Sequence, residues 1–221
     1  MKLIIDGKVY LAKPDQSLYD MVKDLGMITG NLATDPIAAK IAGRIFTLNY
    51  VPLRTKDITP DRSSMRTAMA ASDGVVNLIK YTDNDGKDVY TRTAQFILFL
   101  AISRRYPKAQ SSMNCTIGSG LYIKVIGDES FSANELKSEV ESEDFPLLRK
   151  RIPTTELIKY YESIGMRDKA RLLKYRKKEY VDVYENNGFI DYFYGEMAPS
   201  TAFLRSWDIL PAPEGFIFVF P

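Results

Sequence analysis

Residues 89–105 constrain the fold most, because they have helical character and are apolar on nearly every face, with 96–102 unbroken. Such a helix has no side to offer water and must lie at the centre of a domain. Arg104 and Arg105 suit the carbonyl end of its dipole, and Pro107 prevents its continuation. The unbroken run is much shorter than the roughly 20 apolar residues that span a bilayer. At the N-terminus, Asp6-Gly7 interrupts the apolar start where a secretory signal would need to continue. No membrane partner is expected, and the chain is placed in the cytoplasm.

Upstream of that helix, residues 3–5 and 9–11 flank Asp6-Gly7-Lys8, a strong hairpin signal. Ser17, with Asp20 three residues on, opens a helix carrying Leu18, Met21, Val22 and Leu25, and Gly26 can close it. Residues 39–41 and 45–48 around Gly43-Arg44 make a second hairpin candidate, and 75–81 a further strand. Between them, 54–74 is polar and rich in small residues, a long loop or short irregular helix. The polar turn at 81–86 marks a module boundary.

Downstream, residues 113–117 and 121–126 about Gly118-Ser119-Gly120 form a hairpin, and Ser132 with Glu135 forms a capping box for a helix carrying Leu136 and Val140. Two more helices follow at 154–164 and 167–175, then strands at 180–184, 189–194 and 216–220. This order predicts an α+β chain, with a small sheet-and-helix module at 1–81 and a larger α+β domain at 82–221. The apolar ending at 218–221 suggests a piece cut from a longer protein.

The chain contains no histidine, which excludes most familiar triads and zinc sites. Its one cysteine, Cys115, has no partner for an intramolecular disulfide and is expected in the core. No P-loop is present, and Gly118-Ser119-Gly120 lacks the third glycine of a dinucleotide fingerprint. Asp83-Asn84-Asp85-Gly86 resembles a calcium loop, but Arg92 falls where the bidentate glutamate belongs, so it is expected to be a solvated turn. No complete catalytic site, and no metal site, is expected.

Charge is segregated: residues 128–144 hold seven acidic residues and one lysine, whereas 167–178 hold seven basic residues and one acid. Lys169, Arg171, Lys174 and Arg176, with Lys177 and Lys178, precede Tyr180, Tyr184, Phe189, Tyr192, Phe193 and Tyr194. Cations neutralise phosphates and aromatic faces stack on bases, so the cluster is a candidate for RNA or nucleotide binding. The same residues also fit a solvated basic helix followed by core aromatics.

Residues 1–81, with Ile4-Ile5-Asp6-Gly7, the helix at Ser17 and Ile41-Ala42-Gly43-Arg44, resemble the TGS module, a β-grasp domain at the start of threonyl-tRNA synthetases and several regulatory proteins. Residues 90–96, Gly118-Ser119-Gly120-Leu121-Tyr122, 169–176, 188–195 and Pro199-Ser200-Thr201 extend the likeness. Together they resemble the N-terminal region of bacterial uridine kinase-like nucleoside kinases, where a TGS module and a synthetase editing-like domain precede a P-loop kinase. The resemblance implies that the metal-binding His-x-x-x-His of the editing domain falls on Arg92 and Phe96, and its Cys-x-x-x-His on Tyr184 and Gly188, none of them a metal ligand here. It implies a ligand groove lined by Arg92, Tyr122, Asp182, Tyr184 and Tyr192.

Three functions follow as expectations. The first is a non-catalytic regulatory or substrate-sensing half of a nucleoside kinase. Its partners would be the C-terminal kinase domain, to which ATP and magnesium would belong, and a nucleotide-like or amino-acid-like ligand. The second is an RNA- or tRNA-binding module related to threonyl-tRNA synthetase N-terminal domains. The third is a relic deacylase working through Asp182 and a bound water.

Overall fold

A computed structural model describes residues 1–53, 73–118, 120–141 and 144–221. The loop or irregular helix expected at 54–74 lies almost wholly outside these residues, as does Ser119. The chain is mixed α+β and divides into two compact units, a larger one of Met1–Pro146 with Gly195–Pro221 and a smaller one of Leu147–Tyr194.

The larger unit begins with β1 (Lys2–Ile5) and β2 (Lys8–Leu11), antiparallel about a two-residue turn. Asp6 and Gly7 both take positive φ there, +45° and +79°, the backbone that a tight hairpin demands and that Asp-Gly supplies readily. Helix α1 (Leu18–Asp24) has the expected capping box between Ser17 and Asp20. Strands β3 (Pro36–Ile41), β4 (Arg44–Thr47) and β5 (Val75–Lys80) complete a five-stranded sheet of order β2-β1-β5-β3-β4, with β1 and β5 parallel. This is a β-grasp arrangement. Leu18, Met21 and Val22 of α1 pack on Leu3, Ile5, Ile41 and Val76 from one face of the sheet.

The other face receives α2 (Asn84–Arg105), which packs on β3 and β5 and is tied to Lys40 by Asp85 at 2.7 Å. Ala38 and Ile79, paired across those strands, are buried away from the α1 cluster. A strand covered on both faces loses its polar alternation, which explains the continuous apolar run at 36–39. Helix α2 carries eleven buried residues, Tyr90, Phe96 and Leu98 among them, as an all-apolar helix requires. It starts earlier than its apolar residues indicate. Asp83 takes an extended N-cap conformation, and Asn84-Asp85-Gly86 forms the first turn of the helix, with Asp83 and Asn84 exposed.

A second sheet of order β11-β12-β7-β6 contains β6 (Gln110–Ile117), β7 (Gly120–Ile126), β11 (Asp208–Ala212) and β12 (Gly215–Val219). Phe216 and Phe218 turn inward, stacking on Phe131 and Trp207. Cys115, expected in the core, is exposed. It lies on the edge strand β6, beyond a register shift between Met113 and Cys115, and Ile117 beside it is also open to solvent. Met113, Cys115, Thr116 and Ile117 are all exposed, so the apolar pattern of this stretch does not report burial. Helix α3 (Ala133–Glu141) follows Ser132, whose hydroxyl accepts from the Glu135 amide at 3.4 Å. The Glu135 carboxylate turns instead to Arg105 and the Tyr106 hydroxyl.

In the smaller unit, α4 (Thr154–Ser163) and α5 (Arg167–Lys174) pack together and on a three-stranded sheet of order β10-β9-β8. Its strands are β8 (Arg149–Pro153), β9 (Tyr180–Asn186) and β10 (Phe189–Asp191). Ile152, Leu157, Tyr161, Leu173, Val181 and Val183 form its core. Strand β8 was not legible in advance, because only Ile152 of its five residues is buried.

Candidate functional site

The five expected groove residues fall in different units. Arg92 and Tyr122 belong to the larger one. Arg92, on α2, donates from Nε to the Glu196 carbonyl at 3.0 Å, and its guanidinium lies where a side chain at Gly195 would be. Phe96, one turn on, is fully buried. Tyr122, on β7, donates its hydroxyl to the Pro213 carbonyl at 2.6 Å.

Asp182, Tyr184 and Tyr192 belong to the smaller unit. Tyr184 is 2% exposed and presents no surface to a ligand. Asp182 stands directly opposite Arg151 in the β8–β9 ladder and binds both Arg151, at 2.9 Å, and Arg149, at 2.5 Å. Burial alone would raise its pKa, but the two guanidinium groups outweigh that and hold the carboxyl below its ordinary range. A carboxylate so neutralised is a weak base, which removes the physical ground for water activation by Asp182.

The basic cluster separates into internal and outward members. Lys169 donates at 2.8 Å to both oxygens of Asp191, which is 2% exposed and also accepts from the Tyr161 hydroxyl at 2.6 Å. Burial first, then the Asp191 charge, pushes the Tyr161 hydroxyl up, so it stays a neutral donor. Arg176 lies over the Tyr192 ring, 4.9 Å from its centroid, and donates to the Tyr192 hydroxyl. These two cations hold the unit together.

The others face outward. Arg171 is paired with Asp168 at 3.4 Å, and Lys174 with Glu162 at 2.7 Å, both pairs exposed and therefore weak. Helical spacing puts Arg171, Leu172 and Tyr175 on one open face, with Leu172 71% and Tyr175 80% exposed. Lys177 and Lys178 follow, exposed, and their ammonium groups have no partner among the described residues. The aromatic member of this face, Tyr175, was missed in the sequence because it sits among helix residues and not in the later aromatic run. Its signal was position, four residues after Arg171.

Residues 147–194 carry eleven Lys and Arg against seven Asp and Glu, in a chain whose net charge is only +2. The positive charge is therefore concentrated in the smaller unit. Fold and surface together define an α+β chain in which a β-grasp sheet accompanies a basic helical unit bearing open aromatic and aliphatic side chains.

No family model matches the chain. It is similar to threonine-tRNA ligases. The protein of that name from Clostridioides difficile is 25% identical over 203 residues, covering 89% of this chain and 28% of the relative. That from Acetivibrio thermocellus is 25% identical over 190 residues, 83% of this chain and 27% of the relative. That from Carboxydothermus hydrogenoformans is 28% identical over 144 residues, 62% and 23%. The chain thus spans about a quarter of the length of these relatives. The similarity corrects the kinase reading: the proteins matched are threonine-tRNA ligases, and neither a uridine kinase family nor a kinase-domain partner is supported. The resemblance assigned the same two modules to both groups, so the motifs at 90–96, 169–176 and 188–195 could not separate them. The expectation of ATP and magnesium rested on that kinase domain alone.

Proposed function

We propose that the chain is an RNA-binding module related to the N-terminal regions of threonine-tRNA ligases, and that it takes structured RNA of the tRNA type on its smaller unit. In this reading residues 1–81 act as a TGS-like module and 82–221 as an editing-like domain without metal ligands. The observation that carries it is the open face of α5 and the residues after it, where exposed Arg171, Leu172 and Tyr175 are followed by exposed Lys177 and Lys178. Likeness to proteins whose name specifies tRNA supports the choice of RNA over other polyanions. Ammonium and guanidinium groups would neutralise phosphates while the Tyr175 ring stacks on an unpaired base.

Filter binding of unmodified tRNA over a salt series tests this. The association constant should fall steeply as salt rises, because each neutralised phosphate releases counterions. Changing Lys177→Glu and Lys178→Glu together should flatten that slope by about 2, roughly one per lost phosphate contact. Tyr175→Ala should weaken binding by roughly ten-fold with the slope unchanged, since stacking carries no charge. A chain that fails to retain tRNA even at low salt, or one indifferent to all three changes, is not an RNA module of this kind.

A further inference from the structure

The larger unit contains an open cavity of about 490 Å3, a volume within the roughly 300–1,000 Å3 of small-molecule sites. Its walls are of two kinds. Ile97 from the middle of α2, Val140 from the last turn of α3 and Trp207 give an apolar side, whereas Glu141, Asp144 and Arg205 bring charge of both signs. None of Arg92, Tyr122, Asp182, Tyr184 and Tyr192 lines it.

Arg205 is fixed in place. Its Nε donates to the Ala202 carbonyl at 2.9 Å, its Nη1 to the buried carboxylate of Asp35 at 3.0 Å, and it lies 5.5 Å from the Phe203 ring centroid. Its Nη2 has no partner among the described residues. Among the described residues Asp144 accepts only a 3.5 Å bond from the Thr201 hydroxyl, and no ion pair joins Arg205 to Asp144 or Glu141. Ser206, between Arg205 and Trp207, holds a left-handed φ of +56°, a strained conformation for serine. Trp207 is stacked on Phe218, with centroids 5.6 Å apart.

Arg205, held by Asp35 through Nη1 but open at Nη2, and two carboxylates that are not paired with it leave both ends of the cavity to a dipolar guest. A simple anion would meet Arg205 but be repelled by two carboxylates. A simple amine would satisfy the carboxylates but leave Nη2, the part of the guanidinium that Asp35 does not engage, without an acceptor. We propose that this cavity binds a free α-amino acid with an apolar side chain. Its carboxylate meets Nη2 of Arg205, its ammonium meets Glu141 and Asp144, and its side chain lies against Ile97, Val140 and Trp207. The site is separate from the RNA-binding face, and neither proposal depends on the other.

Trp207 is the only tryptophan in the chain, so its emission reports this cavity alone. Titration with L-leucine should change that emission saturably. The same titration with 3-methylbutylamine, which lacks the carboxylate, or 4-methylpentanoate, which lacks the ammonium, should bind at least ten-fold more weakly, since each lost charge-assisted bond is worth that much or more. Arg205→Gln should lower leucine affinity by a similar factor. Should that variant fail to fold because Asp35 loses its partner, the double change Glu141→Gln with Asp144→Asn, at two exposed side chains, tests the ammonium end instead. A flat titration with leucine, equal binding of the amine or the acid alone, or an affinity untouched by the Glu141/Asp144 change would each overturn the proposal.

Discussion

Replacing Asp35 with alanine should lower the unfolding free energy by about 4 kcal/mol, the usual result of breaking a buried, fully bonded charge pair. Asp35 is 3% exposed. Its Oδ1 accepts from the Thr29 amide at 2.8 Å and the Thr29 hydroxyl at 2.7 Å, and its Oδ2 from the Gly30 amide at 2.8 Å and Arg205 at 3.0 Å. Removing the carboxylate strands all four donors at once, and the turn at 29–35 loses its tie to the segment after the short 3-10 turn Thr201–Phe203. The loss should appear as a lower denaturant midpoint with an unchanged slope. The same carboxylate sets an acid limit. Burial would raise its pKa, but the bonds from Thr29, Gly30 and Arg205 outweigh it and leave it below the ordinary 3.8. A depressed folded pKa means that the contribution is complete above the unfolded value and is lost as pH falls through the folded one. Stability should therefore drop below about pH 4, and Asp35→Asn should flatten that drop. An unchanged midpoint in Asp35→Ala would show that the network adds nothing.

Gly86→Ala should be nearly as damaging, at about 3 kcal/mol, although helix propensity alone favours alanine by about 1 kcal/mol. A Cβ at that position would stand 1.8 Å from the Lys80 carbonyl oxygen and 2.6 Å from its carbon. These are backbone atoms, and they cannot turn aside. Lys80 and Asp83 are also bonded in both directions, the Lys80 amide to the Asp83 carboxylate at 2.8 Å and the Asp83 amide to the Lys80 carbonyl at 3.0 Å. The methyl group would push the start of α2 off the end of β5 and strain both bonds. Gly188→Ala is the control. It has nothing within 4 Å and a φ of +85°, so it should cost only the left-handed penalty of about 1 kcal/mol. Equal thermal unfolding of the two variants would contradict the crowding at Gly86.

Hairpins were readable wherever the turn chemistry was unambiguous. Asn187-Gly188, with φ of +48° and +85°, closes the β9–β10 hairpin much as Asp6-Gly7 closes the first. The β3–β4 turn falls one residue earlier than the Gly43-Arg44 position expected from the sequence. Ile41 pairs with Arg44, so the turn is Ala42-Gly43, with Ala42 held at a φ of +47° that alanine does not advertise. Pairing on both sides of the turn imposes that conformation. Cys115 failed for a related reason, because alternation shows that a strand has two faces but not which of them will be covered.

The candidate site was only partly legible. Clustering of Lys169, Arg171, Lys174 and Arg176 along the chain showed where positive charge gathers, and it gathers in the smaller unit. It could not show that Asp191 and Tyr192, fifteen or more residues later, would draw Lys169 and Arg176 inward. Nor could it show the cavity around Trp207, whose walls come from residues more than a hundred positions apart.

What the sequence determined by itself was local: helix periods, the Ser17–Asp20 cap, Asp-Gly and Asn-Gly turns, and the absence of histidine chemistry. Each of these is settled by backbone and side-chain properties of neighbouring residues. Tertiary structure alone decided which charges are spent and which are free, that Arg205 is fixed on Asp35, and that Cys115 faces water. Those outcomes depend on long-range partners, and a charge or an apolar side chain has no fixed role until folding brings its partner within bonding distance.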